Sequence, residues 1–203
     1  MLKKYRSGLS SALAGACALT AAATIASAQS VPQLVTQAVD DTVTTELPGN
    51  TRPEAAAEND RGRVADALAL EHMQLLLNRP AETEAALVHL IDQLHDRSSP
   101  LFHHWLTAER FGAQFGPAAA DVKEVTDWLT RQGFVVNGVQ TSGMIVDFSG
   151  TAGQVREAFK TEIHNLDIAG AAHIANMSNP RVPAALAGIV NGVVSLQDRK
   201  SVV

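Results

Sequence analysis

The chain predicts an α+β fold of the ferredoxin-like kind, an antiparallel sheet with helices over one face. Three observations carry this expectation. From Leu68 to Leu196 helical periodicity and short β-rich runs alternate, in the order strand, helix, helix, strand, strand, helix, strand. The two central strands are separated by little more than a turn, which requires antiparallel pairing. Helices of this number suffice to cover one face of a small sheet.

The first element, residues 69–77, reads two ways. Leu, Glu, Met and Gln are good helix formers, yet Met73, Leu75 and Leu77 alternate with His72 and Gln74. Residues 80–95 are the clearest helix, with Leu87, Leu90, Ile91 and Leu94 at i, i+3, i+4 and i+7. Glu82 and Glu84 in its first turn and His95 and Arg97 at its end suit the helix dipole. A second helix begins with Pro117 at its first position, carries Val122, Val125 and Leu129 on one face, and stops at Gly133.

Strands follow at 134–139 and 144–148, where Met144, Val146 and Phe148 alternate with Ile145, Asp147 and Ser149. Thr151-x-x-Gln154 is a capping-box pattern opening a third helix that buries Val155, Ala158 and Phe159. Residues 161–166 and 188–196 read as further strands. Two Trp, six Phe and one Tyr are few, so the core is expected to be largely aliphatic.

Residues 1–28 read as a signal peptide. Lys3, Lys4 and Arg6 precede an uncharged run from Gly8 to Ile25, and Ala26-Ser27-Ala28 offers the small residues for cleavage before Gln29. A membrane anchor is disfavoured by the Ala-rich, weakly apolar run, and a lipid anchor on Cys17 by Ala14, where Leu is usual. Export, secreted or periplasmic, is the expectation. Cleavage removes the lone cysteine and lowers Lys+Arg from 16 to 13 against 21 Asp+Glu, a net charge of −8. Nucleic acid is a poor partner for so acidic a chain. No later segment reads as membrane-spanning.

Residues 29–66 read as a flexible linker. Pro32, Pro48, Pro53 and the run Thr42-Val43-Thr44-Thr45 interrupt any periodicity. Residues 67–197 form one domain, and 198–203 a tail or the start of a connecting peptide.

No residue set stands out for catalysis or cofactor binding. His72, His89, His95, His103, His104, His164 and His173 lack a metal-ligand spacing such as H-E-x-x-H. There is no G-x-S-x-G nucleophile motif. Trp105 and Trp128 read as core or lid residues, and Glu124 and Asp127 as charges on an exposed helix face.

The segment Pro100-Leu-Phe-His-His-Trp-Leu-Thr-Ala-Glu-Arg-Phe-Gly-Ala-Gln-Phe-Gly-Pro117 resembles the pro-kumamolisin activation domain. So, in the same order, do Val125-Thr-Asp-Trp-Leu129, Gly133-Phe-Val-Val136, Phe148-Ser-Gly-Thr-Ala-Gly-Gln-Val-Arg-Glu-Ala-Phe159 and Pro183-Ala-Ala-Leu-Ala-Gly-Ile-Val190.

The resemblance implies the propeptide of an exported serine-carboxyl peptidase of the sedolisin type, with a fold similar to subtilisin propeptides. Such a domain helps its catalytic domain fold and inhibits it until acid-triggered cleavage. The resemblance also implies that the chain is not itself the enzyme. The family's catalytic pair needs an Asp four residues after a Glu, and no Glu here has one; Ser149-Gly150-Thr151-Ala152 carries Ala152 where the nucleophile would stand.

The partner implied is a sedolisin-type catalytic domain, in cis or in trans. The interface is expected at Phe102, His103, His104 and Trp105, before a helix cap at Thr107, and along the tail Ser195, Leu196, Gln197, Asp198, Arg199 and Lys200. The rival readings are a stand-alone exported inhibitor of acid peptidases and a ferredoxin-like binding module.

Overall fold

A computed structural model describes residues 31–194 and Leu196. The chain opens with two short strands, β1 (Thr44–Glu46) and β2 (Asp60–Arg63), before β3 (Ala69–Leu77). Three helices follow, α1 (Ala81–His95), α2 (Ala108–Phe115) and α3 (Ala119–Arg131). Next come β4 (Val135–Val139), β5 (Ile145–Thr151) and α4 (Ala152–Phe159). The hairpin β6 (Ile163–Ile168) and β7 (Ala171–Asn176), then β8 (Arg181–Pro183) and β9 (Val190–Val194), complete it.

The central sheet has the order β4-β5-β3-β9 with every neighbour antiparallel. Counting only its own strands, that is second, third, first, fourth, the ferredoxin-like arrangement of two interlocked β-α-β units. The ambiguous stretch 69–77 is its strand β3. Met73, Leu75 and Leu77 are buried on one face, because pairing with both β5 and β9 outweighs the helical preference of Leu, Glu and Gln.

α3 and α4 cover the buried face. Val125, Trp128 and Leu129 from α3 meet Val155, Ala158 and Phe159 from α4 over Val146 and Phe148 of β5. Four of the aromatics, Trp128, Phe134, Phe148 and Phe159, meet here. Trp128 lies edge-on to Phe159 at 5.2 Å, and Phe134 edge-on to Phe148 at 5.2 Å. α4 starts where its sequence says it should: the Thr151 hydroxyl accepts from Gln154 N, and Gln154 Oε1 accepts from Thr151 N. Packing under this cap leaves no room at Gly150, where a Cβ would stand 2.4 Å from Phe134 Cδ1 and 2.7 Å from Gln154 Oε1. Gly150→Ala is expected to cost about 1–3 kcal/mol by overpacking, read as a lower denaturant midpoint.

Before the final strand the chain builds a second sheet, β2-β6-β7, and a pair, β1-β8. β6 and β7 meet through the two-residue turn Ala169-Gly170, both at positive φ (52° and 82°), as a type I′ hairpin requires.

Three expectations are corrected. Residues 31–66 are not a free linker but an arm lying on the domain: Leu47 and Val64 are buried, β1 pairs with β8 and β2 with β6. Its fastenings are short strand pairs, isolated apolar side chains and single polar contacts to distant residues, which leave no periodicity to detect. In α1, Ile91 was expected inside but is 44% exposed, as is Val88 at 50%; Leu94 is buried, and Leu87 and Leu90 are half-buried. The helix after the expected cap at Thr107, which the expected element order left out, is α2, with the Thr107 hydroxyl accepting from Arg110 N, and α3 rather than α1 takes the place over the sheet.

Candidate partner interface

Two surfaces present organised side chains to solvent. The first is the loop between α1 and α2, where the sequence placed an interface. Asp96 caps the turn after α1, its Oδ1 accepting from Ser98 N at 2.8 Å. The chain then folds back, and His103 N donates to Leu94 O at 3.1 Å. That return holds His103 at φ +59°, a left-handed conformation uncommon outside glycine.

The consequence is a ring stack. Phe102 lies on His103 with centroids 3.7 Å apart, His103 faces Trp105 at 5.8 Å, and His95 meets Trp105 edge-on at 5.6 Å. Trp105 is nonetheless 60% exposed. The structure thus joins Phe102, His103 and Trp105 and adds His95; the His104 ring makes none of these contacts. Trp105→Ala should cost the domain no more than about 1 kcal/mol, the worth of such ring contacts, in a urea titration.

The tail residues fare differently. Leu196 belongs to the core, 1% exposed, so its side chain is withdrawn from any partner surface. Ser195, Gln197, Asp198, Arg199 and Lys200 lie outside the described residues, as does the signal peptide expected at 1–28.

The second surface is the sheet face opposite α3 and α4. Gln74, Leu76, Ile145, Asp147, Ser149 and Val194 point there half-buried, with Asn137 exposed and Val135 64% exposed at the β4 edge. At its centre is a polar cluster. His72 Nδ1 lies 3.1 Å from Asp147 Oδ2, Asn137 Nδ2 donates to Asp147 Oδ1 at 2.6 Å, and the same amide reaches Ser149 Oγ at 2.8 Å. A bulge between Leu70 and Met73 brings His72 in, at φ +54°, so that its N–H donates to Ser149 Oγ. The Asn137 amide, with His72 beside it, holds the Asp147 carboxyl below its ordinary range.

Ser, His and Asp therefore meet here, but not as a hydrolytic triad. The His72 ring bonds to Asp147, while Ser149 Oγ receives only the backbone N–H of His72 and the Asn137 amide, so no base removes its proton. Among the described residues no set of three or more His, Cys, Asp or Glu is placed to hold a metal ion. No helix among them is long and apolar enough to cross a membrane. The outward positions of Asp147 and Ser149 were legible from strand alternation. Their convergence with His72 and Asn137 was not, because it depends on register and on the bulge.

Comparison with known proteins adds the following. Residues 57–199 match the family described as pro-kumamolisin, activation domain. Sedolisin of Pseudomonas sp. (strain 101) is 30% identical over 128 residues, 63% of this chain and 22% of that protein. Xanthomonalisin of Xanthomonas sp. (strain T-22) is 34% identical over 100 residues, 49% of this chain and 12% of that protein. The matched region is thus under a quarter of either relative's length.

Proposed function

The chain belongs to the pro-kumamolisin activation-domain family, and from that membership we propose that it is the exported propeptide of a sedolisin-type serine-carboxyl peptidase. In this reading it acts as template and inhibitor of a catalytic domain and is released in acid. The signal-like stretch 1–28 would send it out of the cytoplasm.

The observation that carries the reading is the open face of the four-stranded sheet. One side of the sheet is sealed by α3 and α4. The other offers apolar Leu76, Ile145, Val135 and Val194 around a cluster already fixed by its own hydrogen bonds. A surface ordered before contact loses little side-chain entropy on docking, which favours tight binding. It has no paired nucleophile and base, so its use is recognition rather than chemistry.

The test is inhibition of a purified sedolisin-type catalytic domain by this chain from pH 7 to pH 3. Tight inhibition near neutrality that weakens in acid, and loss of affinity for Asp147→Arg with fold intact, are expected. A chain that fails to inhibit at any pH would remove the propeptide reading and leave a binding module of other purpose.

A further inference from the structure

Four glycines stand inside strands among the described residues, and three of them have a reason in the fold. Gly62 of β2 holds φ +93°, a conformation that side chains rarely adopt. A Cβ on Gly150 of β5 would meet the Phe134 ring, and one on Gly192 of β9 would run into Asn50 Oδ1. Gly138 of β4 has neither reason. Its φ lies outside the left-handed region, and a Cβ there would find no atom within 4 Å apart from its chain neighbours.

A glycine without such a reason weakens the strand that holds it. It packs no side chain and has the most chain entropy to lose. β4 otherwise uses Val135, Val136 and Val139, residues that favour strands. The bulge between Val136 and Gly138 makes no demand either, since glycine is required only where a bulge residue turns left-handed.

What Gly138 does is open the surface. It pairs with Asp147, and residues directly opposite share a face, so the missing side chain leaves a gap on the open face beside the Asp147 carboxylate. Asn137 and His72 fix that carboxylate from its flanks. A partner's side chain could reach Asp147 past an alanine at 138. A backbone lying flat on the sheet could not.

We propose, resting on the propeptide reading, that Gly138 is the point of closest approach on the docking face. There the backbone of the catalytic domain lies against β4 and turns hydrogen-bond donors to Asp147. Any side chain at 138 stands where that backbone passes, so a single methyl group discriminates between partners.

Inhibition of a purified sedolisin-type catalytic domain at pH 7, measured beside urea unfolding, is the test. Gly138→Ala and Gly138→Val should unfold at or above the parent's midpoint, because each removes chain entropy from the unfolded state. Both should inhibit more weakly, by about tenfold or more for Ala and further for Val. Val139 pairs with buried Val146 and so points to the other side of the sheet; Val139→Ala should inhibit as the parent does. Variants at 138 that inhibit like the parent, or that are less stable than it, would overturn the contact, and so would an equal loss in Val139→Ala. A parent that inhibits at no pH removes the propeptide reading, and this contact with it.

Discussion

Phe148→Ala should lower the free energy of unfolding by about 3–5 kcal/mol, enough to leave a domain of ordinary stability close to its threshold. Phe148 is fully buried at the centre of β5, where its ring lies edge-on to Phe134 and 6.0 Å from Phe159. Truncation removes the transfer energy of the ring and leaves a cavity that three different elements line. Those elements are the β4 entry, the sheet and α4, each pinned elsewhere, so collapse into the void is restricted. Phe159→Ala should behave alike, since Phe159 also meets Trp128 at 5.2 Å. Both are measured by urea unfolding against the parent. Variants that melt with the parent would mean that the ring does not face α4. The small loss expected for Trp105→Ala is the internal contrast, one aromatic outside the core and one within it.

How far the sequence disclosed this core depends on the element. In α3 and α4 the spacing of Val125, Leu129, Val155, Ala158 and Phe159 named the buried face, because these helices are amphipathic and lie on a sheet that is continuously apolar beneath them. In β5 the alternation of Val146 and Phe148 with Asp147 and Ser149 gave both faces. β3 was ambiguous since its residues favour a helix in isolation, and only pairing with β5 and β9 decides between them. α1 misled for the opposite reason: its apolar positions continue around the helix to Val88 and Ile91, more than its neighbours cover. The aromatic stack was legible as a motif, Phe102 to Trp105, although its partner His95 sits seven residues earlier. The cluster around Asp147 was invisible because three strands assemble it.

The arm was illegible in a more general sense, and Asp121→Ala tests the account of it. Asp121 stands in the first turn of α3, 1% exposed, and spends both carboxylate oxygens on backbone N–H groups of Leu34 and Val35. A buried carboxylate is tolerated when hydrogen bonds replace its water, and the α3 N-terminus favours its charge. Sequence shows only an aspartate at a helix start, where a cap or a dipole partner is the ordinary reading. Alanine removes two charge-assisted acceptors, each worth about 1.5–3 kcal/mol. The freed N–H groups can recover water only if the arm lifts away, so the cost is bounded by the docking energy of that limb. A net loss of about 2–4 kcal/mol follows. Asp121→Asn keeps one oxygen for one of the two N–H groups and turns an amide donor towards the other, so it should fall between alanine and the parent. Urea unfolding gives the order parent, Asn, Ala. Equal stability of all three would mean that residues 34 and 35 do not rest on α3.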